Sequence, residues 1–237
     1  MCNEMPKRLD GMKSTLLVAV MCVLLGACDD RTVTTARSPI QGVLATPPPD
    51  AGSVAQRCGQ VNAPFFSGTM LSSQEDWYGG QLRAMGETQL CEGGGDHVGT
   101  TFRLTWIPSF HPSVTVRVIT APDGYRLIGK ILNGAGGYEP GSVAHETTIA
   151  LSVGDVSILT QRFAEARFWE LPTIPAPDST IGLDGAQWIL EGLSAGRYHV
   201  VDRWSPEPAG PDGAFRHLAE WLLERSGLVP SSLVKEY

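Results

Sequence analysis

Excess basic charge is the first thing this chain lacks: 18 Lys and Arg stand against 25 Asp and Glu among 237 residues, a net charge of −7. No Lys/Arg stripe that could follow a phosphate backbone is present, so the composition excludes a nucleic-acid binder. Glycine (27) and proline (17) together stay below the roughly 25–30% that marks low-complexity chains. A collagenous or disordered chain is excluded with them. Long apolar runs are also missing. The stretch from Ser14 to Ala27 is uncharged and mostly apolar, but its core, Leu16 to Leu25, is ten residues long. At about 1.5 Å per residue it spans about 15 Å, half of a bilayer's roughly 30 Å hydrocarbon layer, which suits a signal h-region better than a permanent span. No internal repeat has a fixed period. What remains, 42% hydrophobic residues with six Trp, seven Phe and five Tyr, is enough for one good core.

The N-terminus carries an address. Lys7, Arg8 and Lys13 precede the apolar core, which ends in Leu25-Gly26-Ala27-Cys28. Small residues before a Cys, with Leu ahead of them, resemble the lipobox of bacterial lipoproteins. The resemblance covers about the first 30 residues, and Met12 is an alternative start. It implies diacylation of the Cys28 thiol, cleavage before it and acylation of the new amino group. Two or three acyl chains exceed what stable anchoring requires, so the expected location is the periplasmic side of a bacterial cell envelope. Asp29 and Asp30 resemble an inner-membrane retention signal, and the choice of membrane stays open.

Five cysteines then divide simply. Cys2 and Cys22 leave with the signal, Cys28 carries lipid, and Cys58 and Cys91 remain as an expected disulfide in an oxidising compartment. Closing that loop would stabilise the fold by about 4 kcal/mol on the chain-entropy estimate. The rival reading, a reactive or metal-binding pair, lacks a C-x-x-C.

Residues 1–27 therefore read as signal peptide and 28–56 as a lipidated tether stiffened by Pro47-Pro48-Pro49. Residues 57–228 read as a single α+β domain and 229–237 as a tail. Within the domain, Ser73 to Glu87 reads as a broken helix. Phe102, Leu104 and Trp106 alternate with polar residues, as do Val114, Val116 and Val118, predicting half-buried antiparallel strands. A turn at Pro122-Asp123-Gly124 precedes a third strand, and Val143 to Leu151 is a fourth. Ser152 with Asp155 opens a crossing helix with Val156, Leu159, Phe163 and Ala166 on one face. A last hairpin turns at Ser194-Ala195-Gly196, and a terminal helix runs from a capping Asp212 to Gly227. The expected fold is thus an antiparallel sheet of five or six strands with a crossing helix and a C-terminal helix packed on it.

The most polar constellation lies on that hairpin. With a three-residue loop, Glu191 faces His199 across the strands, the geometry of an acid–base pair, and Asp184 is a second candidate carboxylate. The same two residues make an ordinary structural pair, and a register one residue different separates them. Trp188, Leu190, Tyr198 and Val200 would share the other face. Tyr138, Trp169 and Arg203 are candidate binding residues, Tyr138 because it sits in the glycine-rich loop Asn133 to Gly141. That loop lacks the Lys-Ser/Thr of a phosphate loop. Asp96-His97 and His111 are isolated, and His145 and Glu146 are adjacent and point to opposite faces. No metal and no cofactor is expected. Ser232-x-x-Lys235 matches an acyl-transfer motif only in letters, lying almost at the last residue.

The phrases TFRLTWIPSFHPSVTVRV (Thr101 to Val118), GAGGYEPG (Gly134 to Gly141), FWELP (Phe168 to Pro172), GLDGAQWILEG (Gly182 to Gly192) and YHVVDRWSP (Tyr198 to Pro206) together resemble a family of bacterial envelope proteins. That resemblance implies no activity, so it carries over no catalytic residue. The expected function is a membrane-anchored, non-catalytic binding or accessory domain for another envelope protein. The alternative is an envelope hydrolase using His199 and Glu191.

Overall fold

The computed structural model describes residues 64–66, 68–90, 99–121, 123–175 and 184–237. Among these residues six strands form one sheet: β1 (Thr101–Pro108), β2 (Val114–Ala121), β3 (Gly124–Leu132), β4 (Val143–Leu151), β5 (Ala186–Ser194) and β6 (Arg197–Trp204). Their order is β4-β3-β2-β1-β5-β6, every neighbour antiparallel. The first four strands are a meander, and the β5–β6 hairpin adds to the free side of β1. The predicted α+β class, with its crossing helix and C-terminal helix, is the fold observed.

One face of the sheet is covered by α-helices. Alternation along the strands sends Leu104, Trp106, Val116, Leu127, Trp188, Leu190 and Val201 to that side. They meet Leu159 and Phe163 from the helix Val153–Ala166 and Phe215, Leu218 and Leu222 from the helix Gly213–Ser226. With Gly80–Ala84 as α1, these two are α2 and α3. The capping box of α2 forms as predicted: Ser152 Oγ accepts from the Asp155 amide at 3.1 Å, and Asp155 accepts from the Ser152 amide at 2.9 Å. Arg225 near the end of α3 grips the same carboxylate with two donors at 2.9 and 3.1 Å, tying the helices together. Gly227 ends α3 at φ 68°.

Asp212 occupies the N-cap of α3 but does not cap it. Its side chain accepts instead from Arg203 Nε at 2.7 Å. Residues 229–237, expected as a tail, belong to the packed body. A short helix α4 (Ser231–Glu236) buries Val234, and Tyr237 packs edge-on against Trp106 at 5.7 Å between ring centroids.

The other face was expected to be wet, and over β1 and β5 it is covered. Every residue of these two strands is buried. The segment from Phe65 to Gln89 supplies the cover: a 3₁₀ turn (Ser72–Gln74), a π turn (Glu75–Gly79) and α1 run in sequence, the broken helix that the paired glycines suggest. Phe65, Phe66, Leu71, Tyr78 and Leu82 form a second core with Ile107, Ile189 and Val200. The sheet is therefore the middle of three layers. Among the described residues no helix is long and apolar enough to cross a membrane.

Candidate functional site

The β5–β6 register decides the predicted acid–base pair. Ala195 and Gly196 both have positive φ, 51° and 80°, so the hairpin closes on two residues, with Ser194 opposite Arg197. This is one residue shorter than the loop expected from sequence. Glu191 consequently faces Val200, and His199 faces Gly192. The two candidates point to opposite sides of the sheet, and Tyr198 and Val200 join Glu191 rather than Trp188 and Leu190.

Each then has its own surroundings. His199 lies under the crossing segment, residues 168–175 after α2, with its Nε2 3.0 Å from the Leu171 carbonyl, its ring edge-on to Phe168 at 5.1 Å and 6.0 Å from that of Trp169. Burial, aided by the Arg197 charge, pushes its pKa down to about 4, so the ring is neutral at pH 7. Trp169 is half-buried and covered by the Arg197 guanidinium at 4.9 Å. The Arg203 side chain is 3% exposed, and its donors reach Asp212, Asp202 O, Pro172 O and Thr173 O. These contacts make Trp169 and Arg203 braces of the crossing segment; neither presents a free binding group.

Glu191 belongs to a charge network that the sequence did not disclose. Arg103 on β1 faces it across the strands and binds it with Nε–Oε2 at 2.7 Å and Nη2–Oε1 at 2.8 Å, both side chains fully buried. Tyr198 donates to Glu191 Oε1 at 3.0 Å. The remaining Arg103 nitrogen donates to Thr88 O at 2.6 Å and lies 3.5 Å from Glu87, which also holds Arg117 at 3.1 Å and Lys130 at 2.9 Å. Burial pushes the Glu87 carboxyl up, but Arg103, Arg117 and Lys130 outweigh it and hold the group below its ordinary value. The network holds three cations and two anions, and the Phe65 ring covers its Arg103 guanidinium at 5.4 Å. Beside them Asp202 accepts from Tyr78 at 3.3 Å and from Gln187, and burial raises it to about 6. The only hint in the sequence is an Arg flanked by apolar residues in β1, which reads equally well as solvent-facing.

No protein-family model matches the chain, and no curated protein matches it.

Asp184 lies just before β5, near the end of the sheet away from His199. Ala186 and Gly192 are six residues apart, about 20 Å along a strand, so Asp184 cannot partner His199. It lines an open cleft of about 580 Å³ with Phe110, Ser205, Glu207, Arg216 and Tyr237. In that wall the Tyr237 hydroxyl lies 2.6 Å from His111 Nδ1. The Arg216 donors are taken by Glu220, Pro206 O and Val234 O. No group of three or more His, Cys, Asp or Glu is placed to hold a metal among the described residues.

Tyr138 is different. It is 70% exposed, at the tip of a loop folded on itself by Gly134 N–Pro140 O and Ala135 N–Glu139 O bonds of 3.2 Å. The next loop is stitched to it. Gly136 N donates to His111 O at 2.9 Å and Gly137 N to Ser109 O at 3.1 Å, flanking Phe110, which is 54% exposed. Trp77, 37% exposed, donates its indole N–H to Gly136 O at 2.8 Å. A Cβ on Gly136 would lie 2.5 Å from the Pro108 carbonyl oxygen, so the close approach of three segments requires glycine there. Three exposed aromatic residues are thereby fixed around one glycine at one end of the sheet. The cysteine assignments at positions 28, 58 and 91, and Asp96 and His97, lie outside the described residues.

Proposed function

We propose that this chain is a lipid-anchored, non-catalytic binding domain of a bacterial envelope, and that the Trp77–Phe110–Tyr138 end of the sheet docks an envelope protein. The observation that carries the reading is the fixed aromatic tip. Backbone bonds fix the segments that carry these side chains, and aromatic rings have few rotamers to lose when covered, which is how interface anchors reach high binding energy per residue. The hydrolase alternative loses its acid–base pair, because His199 and Glu191 lie on opposite faces and Glu191 is consumed by Arg103. The anchor rests on the lipobox-like Leu25-Gly26-Ala27-Cys28.

Two measurements test the two halves. Cys28→Ser should abolish membrane retention, and palmitate still incorporated into that variant would show the anchor to be misassigned. For the docking end, a photo-reactive residue at Tyr138 of the full chain, irradiated in membranes, should give one discrete protein adduct. Phe110→Ala should weaken that association by about thirtyfold, the effect of removing one strong aromatic anchor. Crosslinking no greater than from the exposed His217 on α3 would overturn the assignment.

A further inference from the structure

The two edges of the sheet are finished differently. On β6 the Asp202 amide donates to Thr173 O at 2.8 Å, and the crossing segment also takes His199 and Arg203, so that edge is covered. On β4, the other edge, one side pairs with β3, and among the described residues nothing pairs with the second. Six of its nine residues between Val143 and Leu151 are exposed, and Thr147, Ile149 and Leu151 are half-buried. Outer strands are normally guarded by Lys, Pro, inward charges or bulges, and the bulge here, at Ala144, leaves His145 to Leu151 regular. Val143-Ala-His-Glu-Thr-Thr-Ile-Ala-Leu151 contains no Lys, Arg or Pro and is rich in β-branched residues.

We infer that β4 pairs with the β4 of a second copy of this chain, joining two sheets into one of twelve strands across a two-fold axis at Thr148. A register slip at Ala144 limits the regular part of the strand to His145–Leu151, and Thr148 is its centre. Antiparallel pairing about that centre sets His145 against Leu151, Glu146 against Ala150, and Thr147 against Ile149. Glu146, the single formal charge of the strand, meets a methyl group and not its own copy. The same axis brings Val143 of one copy toward Val153 of the other. These two are 40% and 89% exposed and stand at opposite ends of the strand, so one operation covers both. Residues of like parity meet, and both helical layers stay on one face of the joined sheet. This self-complementarity is what selects a second copy as the occupant over an unrelated strand.

The inference requires neither the lipid anchor nor the aromatic tip. Its test is sedimentation of the full chain in excess detergent over a range of protein concentrations, with two opposite substitutions at the exposed Ala150. The unaltered chain should dimerise. Ala150→Glu puts two carboxylates opposite two copies of Glu146 and should raise the dissociation constant about tenfold. Ala150→Lys puts cations there and should lower it by a similar factor. Within one copy Ala150 faces Arg126 on β3, so Glu favours and Lys disfavours the isolated fold, the reverse of the order expected for association. A misfolding artefact would therefore move the wrong way. A chain that stays monomeric at the highest concentration, two variants that shift association alike, or outward-pointing β4 amides that exchange slowly in samples sedimenting as monomer would each overturn the inference.

Discussion

Arg103→Met is expected to cost roughly 3–5 kcal/mol of folding stability, read as a lower urea midpoint of the full chain. The reason is the burial of both partners: the Arg103 and Glu191 side chains expose nothing, and removing the guanidinium leaves Glu191, among the described residues, with the Tyr198 hydroxyl as its remaining partner. A buried carboxylate so stranded costs far more than a surface pair lost. Glu191→Leu should cost a similar amount, because Arg103 then keeps only a Glu87 contact at 3.5 Å and the Thr88 carbonyl. The double variant Arg103→Met with Glu191→Leu should recover most of the loss, to within about 1–2 kcal/mol of the unaltered chain. The residual reflects the Tyr198 hydroxyl and the Thr88 carbonyl, which lose their partners. Glu87 keeps Arg117 and Lys130 in all three variants, and loses one of its three cations in the two that lack Arg103. Additive losses in the double variant would show that the pair does not act as a closed unit.

That network also marks where the sequence stops being legible. Strand periodicity is local, and it locates β1 to β4 well; Val143–Leu151 is found with its observed bounds. The Ser152/Asp155 box is equally local and forms as written. The two-residue turn is not legible in the same way. It places Ala195, a residue with a Cβ, at φ 51°, where the usual preference is for Gly or Asn, so counting from the glycine gives a loop one residue too long. One residue is enough to exchange the faces of β6 and dissolve the His199–Glu191 pair. The burial of Arg103 is invisible for another reason. Phe65, Phe66, Leu71, Tyr78 and Leu82 cover it from a segment whose 3₁₀, π and α turns share no single period, so nothing in the spacing announces a third layer. Asp212 has the sequence of a cap, and Arg203, nine residues earlier, takes its carboxylate. Tyr138 is legible as a loop residue, whereas its company with Phe110 and Trp77 depends on bonds around Gly136 that join segments 59 residues apart.

Acid titration should expose two buried groups that work against each other. Asp202 is raised to about 6 by burial, so the folded chain holds that proton more tightly than the unfolded one, whose carboxyl titrates near 3.8. Its contribution to stability is fully present below about 3.8 and is lost as pH rises through 6. His199 is lowered to about 4 from 6.5, first by burial and then by Arg197. Its contribution is present above 6.5 and is lost as pH falls through 4. Shifts of this size correspond to up to about 3 kcal/mol each. They are opposite in sign over nearly the same interval, so the unaltered chain should show a flat stability profile between pH 4 and 6.5, and each substitution should tilt it. Asp202→Asn keeps a polar partner for Tyr78 without the charge: it should stabilise at pH 7 by about 2–3 kcal/mol and have no effect at pH 4, leaving a curve that falls toward acid. His199→Gln removes the opposing proton, so stability should rise by a similar amount as pH falls from 6.5 to 4. The paired curves are read from urea midpoints at each pH. Parallel profiles for the two variants would mean that these side chains are hydrated in solution, and that the layers covering them, the Phe65–Gln89 segment over Asp202 and the crossing segment over His199, open far more readily than their packing implies.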